Sequence, residues 1–138
     1  MAHRVYLDSE HGFIIVRYWG AVDRAELEQV RLEIEADPAF RPGMNRVWDE
    51  RDCDIDISHE DLIALAGNWS STSVNHGKRK LAYLVKQDLS WGFNRVFEAY
   101  RHQPDVEYKL FRDFEPAKQW LPLPDCVPDP RTLLPNLD

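Results

Sequence analysis

The chain has only two cysteines, Cys53 and Cys126, far apart and in no CxxC or Cys/His pattern. This excludes a disulfide framework and a thiolate zinc site, and free thiols of this kind fit a reducing compartment. No stretch approaches the roughly 18 apolar residues that a membrane span requires, and no basic segment followed by an apolar run opens the sequence. The expectation is a cytoplasmic protein with no membrane span. Positive charge is also in deficit, with 17 Lys and Arg against 24 Asp and Glu and a formal net charge of −7. Such a field repels nucleic-acid phosphates and anionic lipid headgroups, so no nucleic-acid partner is expected. The one basic run, Lys78-Arg79-Lys80, stands before an apolar strand and reads as a solvated flank.

Catalytic signatures are missing too. There is no G-x-S-x-G elbow, P-loop, dinucleotide fingerprint or HExxH pair. The histidines His3, His11, His59, His76 and His102 are scattered over predicted loops and helix ends and read as surface residues. No catalytic residue, resident metal or cofactor is therefore expected. Asp49, Glu50, Asp52, Asp54 and Asp56 invite a hard-cation reading, but the glycine turn and closing glutamate of an EF-hand loop are absent.

What is present suits one globular core: 138 residues, 43% of them hydrophobic, with five tryptophans. Arg4 to Asp8 and Phe13 to Trp19 favour strands and are joined by a hairpin-length loop. Asp23 and Glu26 have capping-box spacing ahead of Leu27, Val30 and Ile34, one apolar helical face that ends at Asp37-Pro38. Arg46 to Trp48 reads as a short strand ending at Asp49, with a charged loop after it. Ser58 and Asp61 repeat the capping spacing before Leu62, Leu65, Ala66 and Trp69, the stripe of a second helix.

Leu81 to Val85 is continuously apolar, as in a strand covered on both faces, whereas Val106, Tyr108 and Leu110 alternate with charge as on an edge. Between them, Ser90 caps a third helix carrying Phe93, Val96, Phe97 and Tyr100. Asp113 and Pro116 open a fourth with Ala117, Trp120 and Leu121. Five of the nine prolines fall in residues 122–138, which read as an extended tail whose Val127, Leu133, Leu134 and Leu137 either pack on the body or a second subunit or stay disordered. The fold class is α/β: a mixed sheet opened by an antiparallel hairpin, in the order β-β-α-β-α-β-α-β-α, with residues 1–121 as a single domain followed by the tail.

That order, together with Asp37-Pro38-Ala39-Phe40-Arg41-Pro42-Gly43, Val47-Trp48-Asp49-Glu50-Arg51, Trp91-Gly92-Phe93, Val96-Phe97-Glu98 and Phe111-Arg112-Asp113 through Trp120-Leu121, resembles a bacterial branch of the STAS-like superfamily. The resemblance covers roughly residues 3 to 121. Its best-known members are anti-sigma-factor antagonists, and lipid-carrying CRAL-TRIO domains share the topology broadly. By position, the resemblance implies Ser58 as the counterpart of the serine phosphorylated in the antagonists. Here Ser58 follows a long acidic loop and precedes His59, Glu60 and Asp61, so the residues themselves read it as a helix cap.

Two regions are candidate binding sites. The carboxyl ends of the parallel strands gather Asp49, Glu50 and Arg51 with Lys86 and Asp88, and Ser90 and Trp91 open the next helix, a composition suited to a small anionic ligand. The alternative is that Asp49 and Arg51 pair with each other. Trp69, Phe93, Phe97 and Tyr100 line either an apolar inter-helix pocket for a small apolar ligand or ordinary core. The function expected is a non-catalytic interaction or regulatory module, a homodimer or the partner of another protein, with a small-molecule or lipid binder as the alternative.

Overall fold

Along Phe13 to Tyr18 both alternating sets of side chains are buried, so β2 (Phe13–Val22) is a strand covered on its two faces. The computed structural model describes residues 2–58, 60, 61, 63–65, 67, 76–86 and 105–136. β1 (His3–Asp8) pairs antiparallel with β2, while β3 (Asn45–Ile55), β4 (Arg79–Leu84) and β5 (Val106–Phe111) follow in parallel, giving one sheet in the order β1-β2-β3-β4-β5. This is the mixed α/β sheet anticipated from the element order. β4 is buried along nearly its whole length, and β5 alternates as the edge pattern predicts.

The helix α1 (Arg24–Ala36) begins where the capping pair placed it: the Asp23 carboxylate accepts the Glu26 N–H at 3.0 Å. The Glu26 side chain turns outward from that cap to accept from the Ala2 N–H at 3.3 Å. Leu27, Val30 and Ile34 are buried against Ile14, Val16, Tyr18, Trp48 and Tyr83 on the first face of the sheet. Burial of each of these three is worth about 1.5–3 kcal/mol. The second face buries Phe13, Ile15, Val47, Ala82 and Leu84 under α2 (Phe114–Trp120), through Phe114, Ala117 and Leu121.

Four expectations are corrected. β3 runs through the charged stretch to Ile55, because the second half of β2 offers it a parallel partner as far as Val22. The 122–138 stretch is not extended throughout, since it contains the short helix α3 (Pro130–Leu133); of the open readings for its apolar residues, Val127 and Leu134, with Leu123, pack on the body in the second core. Of the basic run, Arg79 is buried and donates to the Gly77 carbonyl at 2.8 Å, and Lys80 Nζ donates to the Trp120 carbonyl at 3.1 Å over the indole ring. His3 and His76 are fully buried. The His3 ring nitrogens meet Glu26 and Glu33 of α1, and His76 lies between Glu35 and Arg46. Neither imidazole can reach water, so carboxylates and a guanidinium supply its partners. His11 is exposed, while His59 and His102 lie outside the described residues.

Candidate functional site

The β2–β3 ladder carries one irregularity, and it lies at the candidate site. Arg17 is opposite Asp49, but Trp19 is opposite Asp52, so β3 holds one extra residue between them. Such a bulge breaks the alternation of side chains and re-aims those around it. As a result Arg51 and Asp52, neighbours in sequence, both reach partners on the second face, where α3 lies. Glu50 and Cys53 are both buried, and Cys53 belongs to the first core.

On the second face the side chains form a closed ionic network. Arg51 grips Asp49 with Nε and Nη2 at 2.8 and 2.9 Å, and turns the rest of its fork to Asp129 at 2.7 and 3.3 Å. Arg17 donates to Asp52 at 2.9 Å, to the Leu134 carbonyl at 3.0 Å and to Asn136 at 2.5 Å, with its Nε 3.8 Å from Asp49. Arg131 completes the set with two hydrogen bonds to Asp52, at 2.9 and 2.8 Å. Three guanidinium groups are thus matched to three carboxylates from β2, β3 and the segment around α3.

The pairing shows in the acidities. Hydrogen bonds from Arg131 hold the Asp52 carboxyl below its usual range against the opposing effect of burial, with Arg17 assisting. At Asp129 burial pushes upward, but the bonds from Arg51 and the Arg131 N–H prevail and lower it. Burial likewise works against the Arg51 cation, and its hydrogen bonds to Asp49 and Asp129 more than restore it.

Glu50 is the opposite case. It is 5% exposed, and its Oε2 has no hydrogen-bond partner among the described residues. Burial, and then the neighbouring Asp49 charge, push its carboxyl well above the ordinary value. The Cys53 thiol, which donates to the Glu50 carbonyl at 3.5 Å, is pushed upward by burial and then by Glu50, which disfavours the thiolate.

Of the residues singled out in the sequence, the structure brings Asp49 and Arg51 together. Lys86 instead pairs with the exposed Asp54 at 2.6 Å. Ser58 caps a helical turn, its hydroxyl accepting the Asp61 N–H at 3.1 Å, and Arg24 reaches Asp61 at 3.0 Å. Asp88, Ser90, Trp91, Trp69, Phe93, Phe97 and Tyr100 lie outside the described residues. Among the described residues no three His, Cys, Asp or Glu side chains are grouped to hold a metal ion; Asp49, Asp52 and Asp54 face arginine or lysine instead. Sequence reasoning missed Arg17, Asp129 and Arg131, and it singled out Asp52 only as part of a carboxylate cluster, not as an arginine partner. Arg17 alone left a signal, a charge inside an otherwise apolar strand.

No family model matches the chain, and no curated protein matches it. Solved structures do. An uncharacterized DUF3478-family protein with a SpoIIAA-like fold, from Shewanella loihica PV-4, superposes with a TM-score of 0.58 at 20% identity, over 87% of this chain and 92% of that one. The anti-sigma factor antagonist SpoIIAA in its unphosphorylated form gives 0.52 at 16% identity, over 86% and 96% of the two chains. The phosphorylated form of the Bacillus cell fate determinant SpoIIAA gives 0.53 at 16%, over 86% and 98%. At such identities the likeness is one of architecture, and the chain has the SpoIIAA-like, STAS-like fold.

Proposed function

We propose that the chain is a non-catalytic STAS-like module of the bacterial cytoplasm that acts through protein contacts, as a homodimer or as a regulatory partner of another protein. The observation that carries this reading is that Arg17 and Arg51 of the site are paired within the chain, Arg17 Nε alone among their nitrogens lacking a hydrogen bond within the described residues. Open α/β sheets hold ligands at the carboxyl ends of parallel strands, yet here Arg17 and Arg51 are occupied by the chain's own Asp49, Asp52 and Asp129. The fold shared with an anti-sigma factor antagonist supports the same reading. A native mass spectrum of the untagged protein tests it. The expected result is a ligand-free assembly of two copies, or of one copy with a second protein. A monomer that forms no protein complex overturns it.

A second reading, a binder of a small or lipid-like ligand, has Glu50 behind it. Glu50 Oε2 is buried with no hydrogen-bond partner among the described residues, and a carboxyl raised by burial can donate to a ligand acceptor. Mass retained on the folded species and lost on denaturation would favour this reading and give the ligand's mass. Loss of that mass in Glu50→Leu would place the ligand at Glu50. Retention in Glu50→Leu with loss in Arg51→Met would place it instead at the pocket around Asp49, Arg51 and Trp91.

A further inference from the structure

β1 is an end strand of the sheet, with β2 as its one neighbour among the described residues. Natural edge strands refuse a second partner with prolines, lysines, bulges or short length. β1 has none of the first three: its six residues, His-Arg-Val-Tyr-Leu-Asp, pair with β2 in unbroken register from His3 to Asp8. Val5 and Leu7 pack toward the first core, which by strand alternation puts Arg4, Tyr6 and Asp8 on the other face. Tyr6, at the centre, is 37% exposed, one of three large exposed hydrophobic side chains among the described residues.

We propose that β1 pairs antiparallel with β1 of a second copy about a two-fold axis through Tyr6, joining the two sheets into one. The inference rests on the protein-contact reading above and gives it a surface. Antiparallel partners alternate between bonded and non-bonded pairs, so a two-fold axis between identical strands must pass through a residue. Through Tyr6 it sets Arg4 of each copy opposite Asp8 of the other, Val5 opposite Leu7, and Tyr6 opposite Tyr6. Both charges meet their opposites and every apolar side chain meets another. An axis through Val5 would oppose Arg4 to Tyr6, and one through Leu7 would oppose Tyr6 to Asp8.

The charges are available for this. Arg4 uses one nitrogen on the Pro135 carbonyl at 3.3 Å, leaving the rest of its five donors. Asp8 accepts from the His11 N–H and ring at the turn, at 2.9 and 3.0 Å, and a carboxylate has room for more. The opposite edge is less suited. On β5, Glu107 and Lys109 also flank a tyrosine, but Tyr108 is partly buried against the first core and Lys109 lies over the Phe111 ring at 5.5 Å.

Light scattering of the full chain over a range of concentrations tests the pairing. The wild type is expected to dimerise. Arg4→Asp and Asp8→Arg, each alone, set like charges face to face at both ends of the paired strands and should raise the dimer dissociation constant about 30-fold. An equimolar mixture of the two variants restores opposite charges at both ends and should dimerise as well as the wild type. If Asp8→Arg loosens the turn held through His11, Arg4→Asp carries the test, with an unchanged circular dichroism spectrum as its fold check. A wild type that is monomeric at every concentration overturns the pairing, and capture of a different protein by that monomer would still uphold the protein-contact reading. A dimer indifferent to both β1 substitutions also overturns it, and its loss in Glu107→Lys would move the interface to β5.

Discussion

The β3 bulge sends charge to two faces of one sheet, and the two faces handle it differently. On the α3 face Asp49 is 1% exposed and is held by Arg51, with Arg17 Nε 3.8 Å away. On the other face Glu50, one residue away and similarly buried, has no ion pair among the described residues, and burial raises its carboxyl well above the ordinary value. A buried carboxylate is tolerable when a guanidinium fork satisfies it; without one the group neutralises itself. The contrast is set by which side chains the chain brings to each face, not by the composition of the Asp-Glu-Arg-Asp run.

Removing the cation from the paired face should have the largest effect. Arg51→Met leaves the Asp49 carboxylate buried with only Arg17 Nε at 3.8 Å, and loss of one partner of a buried pair costs about 3–5 kcal/mol. Urea unfolding should show a midpoint shift of that size; a loss below about 1 kcal/mol would mean that Asp49 is not dependent on the fork.

The next effect is in the pH profile, where two neutral buried groups pull in opposite directions. Burial, then Arg46, lower His76 to about 4, while the Glu35 hydrogen bond opposes them. Its folded value lies below the unfolded one of 6.5, so the unfolded chain takes the proton first. Stability therefore falls as pH drops from about 6.5 to about 4, by on the order of 3 kcal/mol. Glu50 has a raised folded value, so its contribution is intact below about 4.5 and is lost as pH rises above that. Glu50→Gln should abolish the second slope and leave a steeper net rise in stability from pH 4.5 to 6.5. Glu50→Leu should add about 1–3 kcal/mol at neutral pH by removing an unsatisfied buried group. An unchanged profile in Glu50→Gln would mean that Glu50 is ionised in the fold.

How much of this was legible in the sequence depended on how local the cause was. The Asp23 cap, the α1 stripe, the covered β4 and the half-exposed β5 follow from spacings within a few residues, and the structure has each of them. The second half of β3 was not legible, because Glu50 to Asp54 look like a solvated loop until β2 supplies a parallel partner and the arginines supply counter-ions. His76 and Arg46 are 30 residues apart and Arg51 and Asp129 are 78 apart; no short-range pattern marks such pairs. The Asp49–Arg51 pair itself was open to two readings from sequence, and the geometry supplies the intrachain pairing that was one of them.

The smallest effect separates the two halves of the ionic network. Asp129 is 38% exposed, against 1% for Asp49, although both bind the same guanidinium. Water screens the outer pair, so Asp129→Asn should cost only about 1 kcal/mol in global stability, a fraction of the Arg51→Met loss. Asparagine also keeps the cap on α3, since its side-chain oxygen can accept the Arg131 N–H that Asp129 now accepts at 2.9 Å. What is lost is the charge and the second oxygen, which accepts from Arg51 Nη1 at 3.3 Å. The consequence should be local: faster hydrogen exchange at the Thr132, Leu133 and Leu134 amides, whose bonds at 2.8 to 3.0 Å form the α3 turn, with β3 amides unaffected. Added salt should produce the same local loosening in the wild type and little further change in the variant. If Asp129→Asn instead unfolded the chain as readily as Arg51→Met, the outer pair would be as tightly coupled to the core as the inner one, and the exposure difference between the two aspartates would have no energetic meaning.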